Sequence, residues 1–230
     1  YRLEDERAWI SNPDRAATRF TPASTSKIPH TLIAIETRAV TGPDEVFKWD
    51  GQKRFMDSWN EDQTFADAFK RSTVWIFQTV TPRIGPAVLH DWLQQFNYGN
   101  ADVGPAENVT QYWLTGPLAI SAEEQVAFLS HLARRTLPLS ARTYDLAVPV
   151  MVADSGPGWT LYGKTGWHSV DGEPEIGWYV GWLEQTGGEA PGTYVFAFNM
   201  DMANPDTDLP KRKAVVLRAL SDLGALPASN

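Results

Sequence analysis

Cysteine is absent from all 230 residues, which excludes disulfides, thiolate metal ligands and a cysteine nucleophile. Histidine is scarce: His30, His90, His131 and His168 are the four, and no two stand in the His-x-x-x-His spacing of a zinc hydrolase. Positive charge is in deficit, with 20 Lys and Arg against 28 Asp and Glu and a net charge of −8. No basic surplus exists to displace counterions from phosphate, so nucleic acid is not an expected partner. Nor is there an apolar run of the roughly 18 residues that span a bilayer. Tyr1–Ile10 is polar and charged, so any export signal is expected to have been removed or never to have been present. Repeats, low-complexity tracts and interdomain linkers are also missing.

What the chain does have is apolar mass. At 43% hydrophobic residues, with ten tryptophans, it can fill a full-sized core as one catalytic unit. Its middle reads as helical. Thr81-Pro82 resembles an N-cap followed by proline at the first helical position, with helical spacing through Phe96. Asp62–Phe69 starts another short helix, and Ser121-Ala-Glu-Glu124 is a capping box before Val126, Phe128, Leu129 and Leu132. The last third reads as strands: Trp159–Gly163, Gly177–Glu184 and Thr193–Asn199, the last two joined by Gln185–Gly192 as a hairpin. Leu209–Leu223 closes the chain as an amphipathic helix. The order predicts a mixed α+β fold: an antiparallel sheet with flanking helices (about 1–22 plus 148–230) against an all-helical lobe (about 23–147). A cleft between the two is the expected active site.

Ser24-Thr-Ser-Lys27 is the only Ser-x-x-Lys in the chain. Three residues apart on a helical turn, the hydroxyl and amine come within reach of each other. Serine is a weak nucleophile until a base removes its proton, and a neutral lysine can do so. Spacing alone is a weak signal, but the context sharpens it. An apolar run follows, and Pro29 is tolerated only in a first turn, so Ser24 and Lys27 belong at a helix entrance. Free backbone N–H groups there can serve an oxyanion. Apolar neighbours would desolvate Lys27 and lower its pKa, and a neutral amine also reacts with carbon dioxide.

Lys164-Thr165-Gly166 places a cation at the end of a strand, with a hydroxyl and an unobstructed backbone beside it. This arrangement suits a substrate carboxylate. Gly158–Thr165 also matches the phosphate-loop pattern G-x-x-x-x-G-K-T, but its central residues are strand formers and no helix can follow in Gly166–Gly177. Ser72-Thr73-Val74 and Tyr98-Gly99-Asn100 are individually weak, since serine, glycine and asparagine are ordinary at helix ends.

Taken together these segments resemble the class D (oxacillinase-type) serine β-lactamases. They are Pro22–Pro29, Ser72–Trp75, Tyr98–Asn100, Tyr112–Leu114 with Ile120–Ala122, Lys164–Trp167, Gly177–Trp182 and Asp208–Arg212, in the family's order. The resemblance implies a fold like that of penicillin-binding transpeptidases and hydrolysis of β-lactam antibiotics, hence resistance. It implies that Ser24 is acylated, that Lys27 is carboxylated and acts as base, and that Ser72 passes a proton to the β-lactam nitrogen. Lys164, Thr165 and Arg212 would hold the substrate carboxylate, and the backbone N–H groups of Ser24 and Trp167 the oxyanion. The Trp113 indole would support the carbamate, with Val74 among the pocket walls. Apart from carbon dioxide on Lys27 the resemblance implies no cofactor or metal; it implies no obligate protein partner, and a periplasmic location. A non-hydrolysing β-lactam sensor with the same Ser and Lys is the alternative. Ser26 stands where the family usually carries an aromatic residue, and a hydroxyl there predicts a smaller, wetter lysine pocket.

Overall fold

The computed structural model describes residues 1–187 and 190–226. After a short helix α1 (Pro13–Ala17), a 3-10 turn (Ala23–Ser26) runs directly into α2 (Lys27–Glu36). Two short strands, β1 (Val46–Phe47) and β2 (Gln63–Thr64), pair with each other ahead of α3 (Phe65–Lys70). The helical series continues with α4 (Val74–Ile84), α5 (Pro86–Gln95), α6 (Ala122–Ala133) and α7 (Ala141–Ala147). The main sheet follows in simple antiparallel order: β3 (Val152–Gly156), β4 (Trp159–His168), β5 (Ile176–Gln185) and β6 (Gly192–Asp201). Helices α8 (Pro205–Asp208) and α9 (Lys211–Asp222) complete the described chain.

The expected fold class is the one observed, and its layers follow from side-chain alternation. Trp178, Val180 and Trp182 on one face of β5 join the large core with α2, α4 and α6. Tyr179 and Leu183 on its other face join Val216 and Leu220 of α9. Both faces of β5 are therefore covered, which is why this strand reads as an unbroken apolar run. Residues near the start of the chain add to the free edge of β6: Val195 donates to Tyr1 O at 2.7 Å and Leu3 to Thr193 O at 2.9 Å. The capping box at α6 is present in full, with Ser121 Oγ and the Glu124 carboxylate each accepting the other's backbone N–H.

Three expectations change. Thr81-Pro82 is not a helix start. Both residues lie inside α4, where Thr81 Oγ1 donates back to Phe77 O at 2.7 Å. The break comes at Gly85, with φ of +87°, and the first-turn proline is Pro86. The short helix expected from Asp62 begins at Phe65, capped by Thr64 and Asp67. Lys164 does not end its strand, because β4 continues to His168. What ends is its neighbour: β3 pairs with β4 only as far as Val152 with Tyr162. From Gly163 onward one edge of β4 is open, and the Ala23–Ser26 turn packs near it. The hairpin from β5 to β6 is observed in its register, while 188–189 within the Gln185–Gly192 connection lie outside the described residues.

Candidate active site

Between Pro22 and Ile35 every residue except Ser24 is buried. The nucleophile candidate is thus the one point at which this apolar segment meets solvent. Lys27 Nζ donates to Ser24 Oγ at 3.0 Å, as the three-residue spacing predicts. Lys27 is fully buried, with Nζ 5.0 Å from the centre of the Phe77 ring. Burial lowers its pKa to about 7, so a large share of the amine is neutral near pH 7. The Ser26 hydroxyl donates to Ala23 O at 2.7 Å, so it is turned back onto its own backbone and satisfied there.

Ser72 sits between α3 and α4 in the left-handed region, with φ of +59°, a conformation uncommon for a residue with a side chain. This abrupt reversal directs its hydroxyl across the cleft to Lys164 Nζ, which also donates to Thr165 O at 3.0 Å. The sequence shows Ser72 only as a helix-end serine; its backbone conformation is what makes it a cleft residue. Lys164 is buried, and desolvation reinforced by Lys27, Arg212 and Lys213 pushes its pKa well down. The fixed positive charge expected at this lysine is therefore conditional: an arriving anion would restore it.

Glycines admit the remaining pieces. A Cβ on Gly166 would lie 2.9 Å from Pro22 O and 3.0 Å from Thr25 Cγ2, so only glycine lets β4 sit this close to the Ser24 turn. A Cβ on Gly177 would lie 2.8 Å from Arg212 Cδ. Through that gap Arg212 donates to Gly166 O at 2.6 Å, while its Nε donates to Leu209 O at 2.9 Å. Thr165 occupies the open edge beside Lys164, and the Trp167 indole donates to Glu175 Oε2 at 2.7 Å.

Trp113 is fully buried, its ring centre 5.5 Å from that of His30 and 4.9 Å from that of Tyr112. Its indole N–H has no hydrogen-bond partner among the described residues. A buried donor left unpaired costs about 1–3 kcal/mol, so a native site is expected to supply an acceptor. Val74 is the first residue of α4 and packs partly against the main core.

Sequence reasoning missed Gln125, His30 and His168. The Gln125 amide donates to Thr25 Oγ1 at 3.0 Å and to Tyr98 OH at 3.1 Å, tying the Tyr98-Gly99-Asn100 loop to the nucleophile's neighbour. His30 lies one turn beyond Lys27, and burial together with the Lys27 charge lowers its pKa to about 3. The only sequence signal for His30 was a polar residue interrupting an apolar run; Gln125, after two glutamates, had none.

A serine bonded to a buried lysine, opposite a second serine bonded to a strand lysine, fits the family suggested by the sequence, and comparison with known proteins supports it. The penicillin-binding protein transpeptidase domain model matches residues 5–221. β-Lactamase OXA-2 of Salmonella typhimurium is 39% identical over 226 residues, 98% of this chain and 78% of the relative. The chain belongs to the class D β-lactamases. OXA-48 of Klebsiella pneumoniae is 37% identical over 222 residues, 96% of this chain and 81% of the relative. Among solved structures, the class D β-lactamase YbXI from Nostoc superposes with a TM-score of 0.93 at 38% identity, covering 98% of this chain and 92% of that one. FUS-1 (OXA-85) from Fusobacterium nucleatum subsp. polymorphum gives 0.92 at 34%, covering 98% and 91%. This class D chain is thus a serine hydrolase by family, with its Ser-Lys pair at the position where the fold opens to solvent.

Proposed function

We propose that this enzyme hydrolyses β-lactam antibiotics through an acyl-enzyme on Ser24, with carboxylated Lys27 as general base, and so confers resistance. The observation that carries the reading is the Lys27 environment: a fully buried amine 3.0 Å from Ser24 Oγ, with the Trp113 indole, unpartnered among the described residues, packed edge-on against His30 one turn further along α2. Lys27 and Trp113 are the residues that would hold the added carboxylate. When present, that group would supply an anionic oxygen as the base for both acylation and deacylation.

The Ser24 hydroxyl gives its proton to the base at Lys27 as Oγ bonds to the lactam carbonyl carbon. The developing oxyanion meets the N–H groups of Ser24 and Trp167, which the contact at Gly166 brings into proximity. As the ring C–N bond breaks, Ser72 passes a proton to the departing nitrogen, its hydroxyl oriented by Lys164. After ring opening, a water deprotonated by the same base attacks the acyl carbon, and Ser24 Oγ leaves with a proton. Lys164, Thr165 and Arg212 hold the substrate carboxylate, whose charge restores the protonated form of Lys164. Val74 lines the apolar wall. The chain functions as one catalytic unit, its cleft between the sheet side (about 1–22 plus 148–230) and the helical side (about 23–147), in the periplasm.

Steady-state turnover of a chromogenic cephalosporin tests the reading. Hydrolysis should continue for many equivalents of substrate per enzyme. A burst of one equivalent with no further product would instead identify a sensor that retains its acyl group.

A further inference from the structure

His168, at the last position of β4, connects two walls of the cleft that are otherwise separate in the chain. Its ring is buried, with Nδ1 3.1 Å from Leu114 O and Nε2 2.9 Å from Glu173 Oε2. A carbonyl and a carboxylate both only accept, so the ring donates from Nδ1 to Leu114 and from Nε2 to Glu173 when both contacts are made. Glu173 belongs to the β4–β5 loop, and Glu175 two residues later accepts from the Trp167 indole. Two carboxylates on either side of Pro174 thus fasten this loop to the end of β4. On the other side, Leu114 is the residue next to Trp113, whose indole N–H is buried without a partner among the described residues. The segment that carries Trp113 is a turn between a 3-10 helix (Ala106–Gln111) and α6, with no strand to hold it in register. A side-chain donor on its backbone is the kind of tether such a turn needs.

We propose that His168 is a positioning residue for Trp113: by holding the Leu114 carbonyl against the end of β4, it fixes the indole in the Lys27 pocket. Glu173 in turn fixes the ring. This rests on the reading that Trp113 supports the carboxylated lysine. The role is distinct from substrate contact, since His168 acts through a neighbour's backbone. It also makes the β4–β5 loop a determinant of the base's readiness.

The test uses full-length enzyme and ¹³C-labelled bicarbonate, reading the Lys27 carbamate carbon by NMR at increasing bicarbonate. Circular dichroism confirms that each variant is folded at the measuring temperature. His168→Ala should need about tenfold more bicarbonate for half occupancy, the equivalent of one lost hydrogen bond. His168→Asn keeps a donor at the Nδ1 position and should restore most of the wild-type value, a rescue that general loosening of the fold would not produce. Equal bicarbonate dependence in wild type and His168→Ala would overturn the proposal and leave the carboxylated lysine intact. Failure of His168→Asn to rescue would also overturn it. Absence of a carbamate signal in the wild type would remove the reading beneath it as well.

Discussion

Arg212 donates to the Gly166 carbonyl at 2.6 Å, and it can cross β5 to do so because residue 177 has no side chain. One backbone oxygen thus fixes a guanidinium beneath the same strand that carries Lys164 and Thr165. Arg212→Ala should raise KM about 10- to 100-fold with a smaller change in kcat, as expected for a charged hydrogen bond to a substrate carboxylate. Arg212→Lys should rescue little, because Arg212 reaches Leu209 O from Nε and Gly166 O from Nη1, and the single nitrogen of an ammonium lacks that fork. Initial-rate kinetics with benzylpenicillin check both; an unchanged KM in Arg212→Ala would remove the residue from carboxylate binding.

Gly166→Ala addresses the oxyanion side. The added methyl would meet Pro22 O and Thr25 Cγ2 at 2.9 and 3.0 Å, forcing β4 away from the Ser24 turn. Acylation should slow by about 10²–10³, the cost of misplacing one oxyanion donor. Stopped-flow acylation rates decide this, and a rate within twofold of wild type would show that the close approach is dispensable.

The activity profile should carry an acid limb set by Lys27. Its pKa is lowered to about 7 by burial, so below that pH the nitrogen is protonated and can neither accept the Ser24 proton nor bind carbon dioxide. With a single proton responsible, kcat/KM should fall about tenfold per pH unit on the acid side. Added bicarbonate should recover part of that loss. His30, with its pKa lowered to about 3, stays neutral across this range and adds no second limb. A flat profile from pH 5 to 8 would contradict the assignment.

The same shift has a consequence for stability. Between about 7 and 10.5 the unfolded chain binds a proton at Lys27 and the folded chain does not, so this residue favours folding more as pH rises. Its contribution is complete above the unfolded value and is lost as pH falls through the folded one. In carbon-dioxide-depleted buffer, urea unfolding of wild type should gain up to about 1.4 kcal/mol per pH unit over Lys27→Met in that window. Parallel pH dependences would mean that the amine is solvated.

The sequence was most informative where local chemistry decides the outcome. Ser121 and Glu124 specify a capping box, and the unbroken apolar, aromatic-rich run Gly177–Glu184 specifies a strand, because each depends on near neighbours. Ser24 and Lys27 were legible for the same reason: three residues on one turn bring them together. Legibility failed where distant chain decides. Nothing near Lys164 reveals that pairing with β3 stops at Tyr162 and leaves an open edge, or that burial, reinforced by three other cations, depresses its pKa. Thr81-Pro82 misled because α4 carries Pro82 inside its last turn despite the backbone bond lost there, and the residue that ends the helix is Gly85. His168 and Gln125 carry no local signature, since their partners lie 54 and 100 residues away.

The central claim is that Ser24 is the nucleophile and Lys27 the base that both loads and clears it. Peptide mapping by mass spectrometry of acid-quenched Lys27→Ala after incubation with benzylpenicillin tests this most directly. The account predicts a penicilloyl adduct that forms more slowly than in the wild type, is confined to the peptide containing Ser24 and then persists for hours, whereas the wild type clears it within the mixing time. An adduct on another residue, or a variant that hydrolyses penicillin at the wild-type rate, would contradict it.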